Sequence, residues 1–320
     1  MRKKITLIGA GSVQFTRGLM SDFIHTFKGE EWEIGLVDID PEALDVSSRI
    51  CRKMVNAKST DITVSCSTDR RDILPGSHYV VTTIGVGGRR AWEEDVFIPR
   101  KYGIFQPVGD SILPGGISRA MRMIPAMIDI AWDVKKLCPD AIFFNYANPM
   151  TMICRAVRKE TGFPVVGLCH GVNDTERCLA EFIGVERRQF TAAAIGLNHL
   201  TFMVDIRHQG ADARPLVDKR LAEVREKGEL KDPFCWEFYD SYGVFPAPGD
   251  RHVTEFFPER FIGKGRYYGK TLGKEAYSFE KTIQDGDEGF LAMAKLSGSE
   301  YPLEESIFES IGGEHEQLAS

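Results

Sequence analysis

The alternation of apolar and polar positions opens on a short buried strand. Lys3-Lys4-Ile5-Thr6-Leu7-Ile8 runs apolar into a glycine turn, Gly9-Ala10-Gly11-Ser12. Residues 15–26 have the spacing of a helix, and residues 32–37 form a second apolar run ending in Asp38-Ile39-Asp40. A helix over 41–57, a strand over 62–65 and a strand over 79–83 follow, the last running into Ile84-Gly85-Val86-Gly87-Gly88. Residues 98–116 are rich in glycine and proline and predict one long ordered loop. The pattern then predicts a helix over 117–137 and a strand over 141–144. A further apolar run, 165–168, is short enough for a buried strand and stops at Cys169-His170-Gly171. Ile195-Gly196-Leu197 repeats that pattern and stops at Asn198-His199. Residues 201–209 alternate as a strand, 216–227 form an amphipathic helix, and the charged stretch 259–288 predicts a solvated surface or a lid.

Strands alternating with helices predict an α/β fold. The expected architecture is a Rossmann-type, doubly wound parallel sheet continuing into an α+β substrate domain. The boundary is expected between residues 195 and 196, with an NAD-binding domain over 1–195 and a substrate and metal domain over 196–320.

Composition narrows the partners. With 320 residues, 43% hydrophobic and 27% charged, the chain matches an ordinary globular protein. Its net charge of −6 argues against nucleic acid as a partner. No apolar run reaches the ~20 residues that span a bilayer, so no membrane association is expected. Seven cysteines are scattered without CxxC spacing, which suits a reducing cytoplasm better than a disulfide framework.

The first forty residues read as strand, glycine turn, helix, strand, acid. Gly9 and Gly11 permit close backbone approach to a pyrophosphate lying on a helix N-terminus, with Ser12 beside them. Asp38 can accept from both ribose hydroxyls, favouring NAD over NADP, although the third fingerprint position is Gln14. A plain βα turn is the alternative. Thr83, at a strand C-terminus, is expected to flank the cofactor. Arg90 is a candidate substrate contact or an exposed charge. Asn148, held extended by Pro149, is a candidate for a sugar hydroxyl or the nicotinamide ribose, or a simple turn residue. Cys169, His170 and His199 offer thiolate and imidazole, soft ligands that could converge on one divalent ion or merely pack.

Six segments occur in an order that resembles glycoside hydrolase family 4. They are Gly9-Ala10-Gly11-Ser12, Ile98 to Gly103, Pro114-Gly115-Gly116-Ile117, Asn148-Pro149, Cys169-His170-Gly171-Val172 and Gly196-Leu197-Asn198-His199. Gly312-Gly313-Glu314-His315-Glu316 extends the resemblance to near the end of the chain. It implies an NAD- and manganese-dependent glycosidase, with Cys169 and His199 as metal ligands and Asn148 on the sugar. His170 inherits the leaving-group acid. Asp250 matches the segment of the proton-abstracting base, with Tyr239 and Tyr242 as competitors. His252 is expected to be a surface residue, one behind the contacts, or a contact itself.

The implied route is oxidation at C3 by NAD, deprotonation at C2 assisted by the metal, elimination, addition of water and return of the hydride. A Cys-His-Gly-Val segment resembles members acting on unphosphorylated α-glycosides, namely α-glucuronides, α-galactosides or α-glucosides. Arg90, Arg119 or Arg251 could serve a uronate carboxylate. Family members run on beyond residue 320, so the chain is expected to be C-terminally short, with a homo-oligomer (dimer or tetramer) if that segment is present. The alternative is an NAD-dependent 2-hydroxy-acid dehydrogenase of the lactate/malate type.

Overall fold

The computed structural model describes residues 2–27, 29–228, 230–261 and 278–308. Most of the charged segment at 259–288, from 262 to 277, lies outside the described residues, as does Gly312 to Glu316. The chain divides into two compact units, one of Met1–Glu93, Ser118–Leu168 and Glu280–Ser320, the other of Glu94–Ile117 and Cys169–Phe279. The boundary expected at 195 falls inside a strand of the second unit, because the chain leaves and re-enters the first unit twice.

The first unit is built on β1 (Lys3–Ile8), α1 (Val13–Thr26), β2 (Trp32–Val37), α2 (Pro41–Lys58), β3 (Ile62–Ser67), α3 (Arg70–Ile73) and β4 (Tyr79–Thr82). It continues through the first turns of α4 (Gly88–Lys101), α5 (Leu113–Leu137) from Ser118 onward, β5 (Ile142–Asn145), α6 (Met150–Thr161) and β6 (Val166–Gly167), the rest of α4 and the start of α5 belonging to the second unit. The six strands are parallel in the order β3-β2-β1-β4-β5-β6. This is the doubly wound order, with its switch between β1 and β4.

Strand side chains alternate between faces, and each face finds its own helices. Ile5 and Leu7 join Ile34 and Leu36 against Leu19 and Phe23 of α1 and Ile50 and Met54 of α2. On the other face, Val80 and Phe143 meet Met123, Met127 and Val134 of α5 and Ile153 and Val157 of α6. Full burial of side chains this size contributes about 1.5–3 kcal/mol each, which fixes the strand register. α2 starts cleanly: the Asp40 carboxylate accepts from Glu42 N and Ala43 N, and Pro41 takes the first helical position.

The second unit holds α7 (Gly171–Ile183), β7 (Phe190–Leu197), β8 (Leu200–His208), β9 (Ala211–Asp212), α8 (Arg214–Lys227), α9 (Pro233–Tyr242), β10 (Phe245–Ala247), α10 (Asp250–Phe256) and α11 (Pro258–Phe261). Its antiparallel sheet runs β10-β8-β7, with β9 on β8. Phe190, Met203 and Ile206 of the sheet pack with Leu179, Val217, Phe234, Trp236 and Val253 from the surrounding helices. A last helix, α12 (Phe279–Gly298), occupies part of the charged stretch for which a lid or surface was expected.

The long loop expected over 98–116 is only the stretch between Lys101 and Leu113. Pro99 sits in the last turn of α4, where a missing N–H costs one bond at most. Gly115 and Gly116 are helical because nothing larger fits there. A Cβ on Gly115 would stand 2.7 Å from the carbonyl oxygens of Asp95 and Gly109, and one on Gly116 would strike the Ser111 backbone. Their glycines report close packing, which composition alone reads as loop.

Candidate active site

In the first unit, the turn after β1 is shaped by what it must avoid. Gly9 has φ +98°, and a Cβ there would meet Ile84 N at 2.8 Å. Gly9 N and Ala10 N donate to Val37 O, and Ser12 N donates back to Gly9 O at 3.1 Å, closing the turn. The Thr83 hydroxyl donates to Gly9 O at 3.0 Å, so Thr83 braces this turn from the tip of β4. The Asp38 carboxylate accepts from Gly11 N at 2.7 Å and from Asp40 N at 3.0 Å. A Cβ on Gly11 would lie 2.6 Å from Asp38 Oδ2. Only glycine therefore permits this approach of acid and turn. Ser12 caps α1 with its side chain exposed and making no cap bond. The cradle, the helix N-terminus and the acid together fit a dinucleotide.

Other residues singled out in this unit have partners of their own. Arg90 lies within α4, pairing with Glu93 at 2.7 Å and with Asp287 at 2.5 Å, and Arg89 holds the other oxygen of Asp287 at 2.6 Å. Asn148 follows β5 through a cis peptide to Pro149, and its carbonyl accepts from Arg119 Nε at 3.1 Å. Asn145 organises the same turn: its side chain bonds both Ala147 N and Ala147 O, and it accepts from Thr82 Oγ1 at 3.1 Å.

In the second unit, Cys169 and His199 meet. His199 is a residue of the two-residue turn joining β7 to β8, where Leu197 pairs with Leu200, rather than a free strand end. Its φ of +67° is uncommon for a residue with a side chain. Gly196, just before it, is placed so that a Cβ would collide with Leu200 O. This geometry turns the imidazole inward until only 6% is exposed. Cys169 precedes α7, takes the N–H of Gly171 on its sulfur, and hydrogen-bonds the His199 ring.

Two neighbours that the sequence did not reveal complete the ring's surroundings. Ser111 Oγ lies 2.7 Å from His199 Nδ1 and donates to Asp110 Oδ1 at 2.8 Å, and Asp110 Oδ1 is itself 3.5 Å from that nitrogen. Burial opposes a charge on His199, yet the Asp110 carboxylate, with help from Cys169, raises its pKa to about 10. The surroundings of His199 thus favour a charge on that ring, whereas burial, and then His199 itself, push His252 well below the usual imidazole range. His252 stacks on His199 with ring centroids 3.9 Å apart. Its Nδ1 is buried without a hydrogen-bond partner among the described residues. A thiol, two imidazoles and a carboxylate around an orphaned ring nitrogen fit a divalent cation.

The loop bearing Asp110 and Ser111 is tied down from α10. Glu255 Oε1 accepts from Val108 N and Gly109 N, each at 2.7 Å, and Glu255 is 1% exposed. Burial, with Asp110 nearby, pushes its pKa up to about 8. Gln106 pins the other side, accepting from Gly115 N and donating to Ile112 O, both at 2.9 Å.

Comparison with known proteins is decisive on kinship. Residues 4–185 match the family 4 glycosyl hydrolase profile, and residues 194–310 match the profile of that family's C-terminal domain. The chain belongs to glycosyl hydrolase family 4. It is 33% identical over 257 residues to an alpha-galactosidase of Bacillus subtilis, covering 80% of this chain and 59% of that protein. An alpha-glucosidase of Erwinia rhapontici is 38% identical over 252 residues, covering 72% of this chain and 55% of its own length. The chain thus spans under three fifths of the length of these relatives. A 6-phospho-alpha-glucosidase from gut microorganisms, solved in complex with NAD and Mn2+, shares the fold with a TM-score of 0.81 at 18% identity, over 99% of this chain and 73% of that one. Beside this membership, the lactate/malate-type dehydrogenase alternative is the weaker one.

For this family 4 chain, the residues considered for acid and base stand apart from one another. His170 immediately precedes α7, half-buried, with Nε2 3.6 Å from Asp174 Oδ2. Asp250 is fully buried, and it belongs with Asp232 and Cys235 rather than with the His199 group. Its two oxygens accept from Phe234 N at 3.1 Å and Cys235 N at 2.8 Å, in the first turn of α9. Desolvation, with Asp232 beside it, raises its pKa to about 6. In this arrangement Asp250 caps a helix whose own N-cap, Asp232, makes no side-chain cap bond. The Tyr239 hydroxyl donates to Asp218 at 2.8 Å, while Tyr242 is 64% exposed. No helix among the described residues is long and apolar enough to cross a membrane.

Proposed function

We propose that this chain hydrolyses unphosphorylated α-glycosides through a cycle of oxidation at C3, deprotonation at C2, elimination, water addition and re-reduction, using NAD and a divalent cation, manganese in the first instance. The reading is supported most by one observation: Cys169 and His199, far apart in sequence, are hydrogen-bonded to each other, and the Asp110 carboxylate beside the buried His199 ring favours positive charge there. Bound NAD supplies a reversible hydride acceptor, and the cation supplies a Lewis acid toward sugar oxygens.

The chain's own residues do the rest. The Gly9–Gly11 turn and the start of α1 receive the pyrophosphate, and Asp38 takes the ribose hydroxyls with lone pairs left over from its backbone bonds. Cys169 and His199 bind the cation. Ser111 and Asp110 engage His199 Nδ1, leaving Nε2 for the metal, a common division of labour for a ligating histidine. His170 is the leaving-group acid, with the Asp174 carboxylate 3.6 Å from its Nε2 to orient the ring. Asn148, with its backbone carbonyl held by Arg119, presents its amide to the sugar. The substrate is unphosphorylated because an imidazole, His170, follows the metal cysteine, as in the α-glycosidase members that the segment resembles. All seven cysteines are free thiols, which supports work in the cytoplasm.

The test is a panel of nitrophenyl glycosides, including α-galactoside, α-glucoside and α-glucuronide, with NAD and Mn2+ each supplied or withheld. Hydrolysis of an α-glycoside only with both present supports the proposal. Hydrolysis indifferent to NAD, or net NADH release with a hydroxy acid, refutes it.

A further inference from the structure

His252 has no role in the scheme above, and its setting is hard to explain by packing alone. α10 carries it into ring contact with His199, centroids 3.9 Å apart and planes at 37°. It is 7% exposed, and its Nδ1 has no hydrogen-bond partner among the described residues. A buried polar atom without a partner is destabilising, so a phenylalanine would pack there more favourably. Asp110, His199 and His252 each offer a donor atom, all within 4.8 Å of one another. Two ligands of one cation, each at ~2.0–2.3 Å, lie at most roughly 4.6 Å apart, so the His199–His252 pair within this group closes on an ion with small side-chain shifts, and Cys169 adjoins the pair through its hydrogen bond to His199.

The other members of the cluster have their bonding accounted for. Ser111 and Asp110 occupy His199 Nδ1, so Asp110 acts by orienting that ring. Cys169 contacts His199 directly. The donor left over is His252. We propose that His252 is a third protein ligand of the cation, so that one thiolate and two imidazoles hold it and the remaining positions stay open to oxygens of the substrate. Three protein donors leave positions open on the cation, as a catalytic site requires. The proposal rests on the reading that Cys169 and His199 bind the metal.

The experiment is a cobalt(II) titration of the full chain without NAD or substrate, followed in the visible ligand-field region and the near-ultraviolet thiolate-to-cobalt band. Wild type, Cys169→Ser and His252→Phe are compared, the phenylalanine preserving the ring stack without a donor. His252→Phe should keep the thiolate band, lose ligand-field intensity and bind cobalt at least about ten-fold more weakly. If His252→Phe binds with wild-type affinity and spectrum while Cys169→Ser loses the thiolate band, His252 is packing only and this proposal falls, leaving the proposed function standing. If Cys169→Ser is indistinguishable from wild type, the metal assignment itself fails, and this proposal with it. X-ray absorption on cobalt-loaded wild type needs no variant to fold: scattering from two imidazoles supports the proposal, and from one overturns it.

Discussion

Glu255 offers the sharpest test of how the site is held together. One of its oxygens takes two buried backbone N–H groups, those of Val108 and Gly109, at 2.7 Å each. Glu255→Leu strands both donors. At about 1–3 kcal/mol for each unsatisfied buried group, the loss is roughly 2–6 kcal/mol, a large share of the ~5–15 kcal/mol that stabilises a typical protein. Glu255→Gln keeps a carbonyl oxygen in place. Because burial and Asp110 raise the carboxyl pKa to about 8, the side chain is mostly protonated at pH 7, and the amide should cost within about 1 kcal/mol. Urea unfolding of the metal-free chain measures both. The pH dependence carries its own sign. An unfolded Glu titrates near 4.5 and the folded one near 8, so the folded state keeps the proton between these values. Glu255's contribution is therefore complete below pH 4.5 and is lost as pH rises through 8. Wild type should lose stability relative to Glu255→Gln between pH 5 and pH 9. A Glu255→Leu variant as stable as Glu255→Gln, or a pH-independent gap between wild type and Glu255→Gln, would refute the strap.

Three further outcomes follow from the same geometry. Gly11→Ala places a Cβ 2.6 Å from Asp38 Oδ2 and should weaken NAD binding at least about ten-fold in isothermal titration, or about 1.4 kcal/mol; an unchanged Kd would mean the cradle is not the cofactor's. Asp250→Ala removes both acceptors from the first turn of α9 and should cost about 1–2 kcal/mol in a thermal melt, with Asp250→Asn losing less; equal melting of all three proteins would show that the cap is not structural. Manganese at a hundred-fold excess over its Kd should stabilise the wild type by about 2.7 kcal/mol, and Cys169→Ser should lose most of that gain at the same metal concentration. An equal gain in Cys169→Ser would remove the thiolate from the site.

What the sequence made legible was local. Gly9, Gly11 and Asp38 fall within one strand–turn–helix–strand unit, and the structure joins them with a 2.7 Å bond across the turn. The alternation of strands and helices gave the fold class, but glycine and proline content misread 98–116, where Pro99 ends a helix and Gly115 and Gly116 begin one. The Cys169–His199 pairing rested on resemblance, since neither residue carries a local signal of the other. Asp110, Ser111 and Glu255 escaped entirely, and His252 was named without a choice between contact and bystander. Ser111 and His199 are 88 positions apart, and Glu255 is 147 from Val108, distances over which periodicity says nothing. One signal was available: Gly109-Asp110-Ser111 lies in the glycine-rich stretch read as one long ordered loop, and loops of that length tend to carry function.

Asp250 shows how far a motif goes without a fold. Its segment, Pro248-Gly249-Asp250-Arg251-His252, reads as one unit, yet its members part company within a single turn of helix. Asp250 points to the start of α9, where two N–H groups need an acceptor. His252 points to His199. A helix turns about 100° per residue, so residues two apart face nearly opposite ways, and a short helix wedged between α9 and the β7–β8 turn serves both. Glu255, three residues beyond His252, lies close to its face and reaches the loop of Asp110. α10 thus supplies a cap to one neighbour, a donor to the cluster and a strap to the loop that orients it. Because all three attachments end on backbone groups or on a ring fixed by a two-residue turn, the fold brings the cluster's donors together before any ligand arrives, so that only small side-chain shifts are left for binding charge.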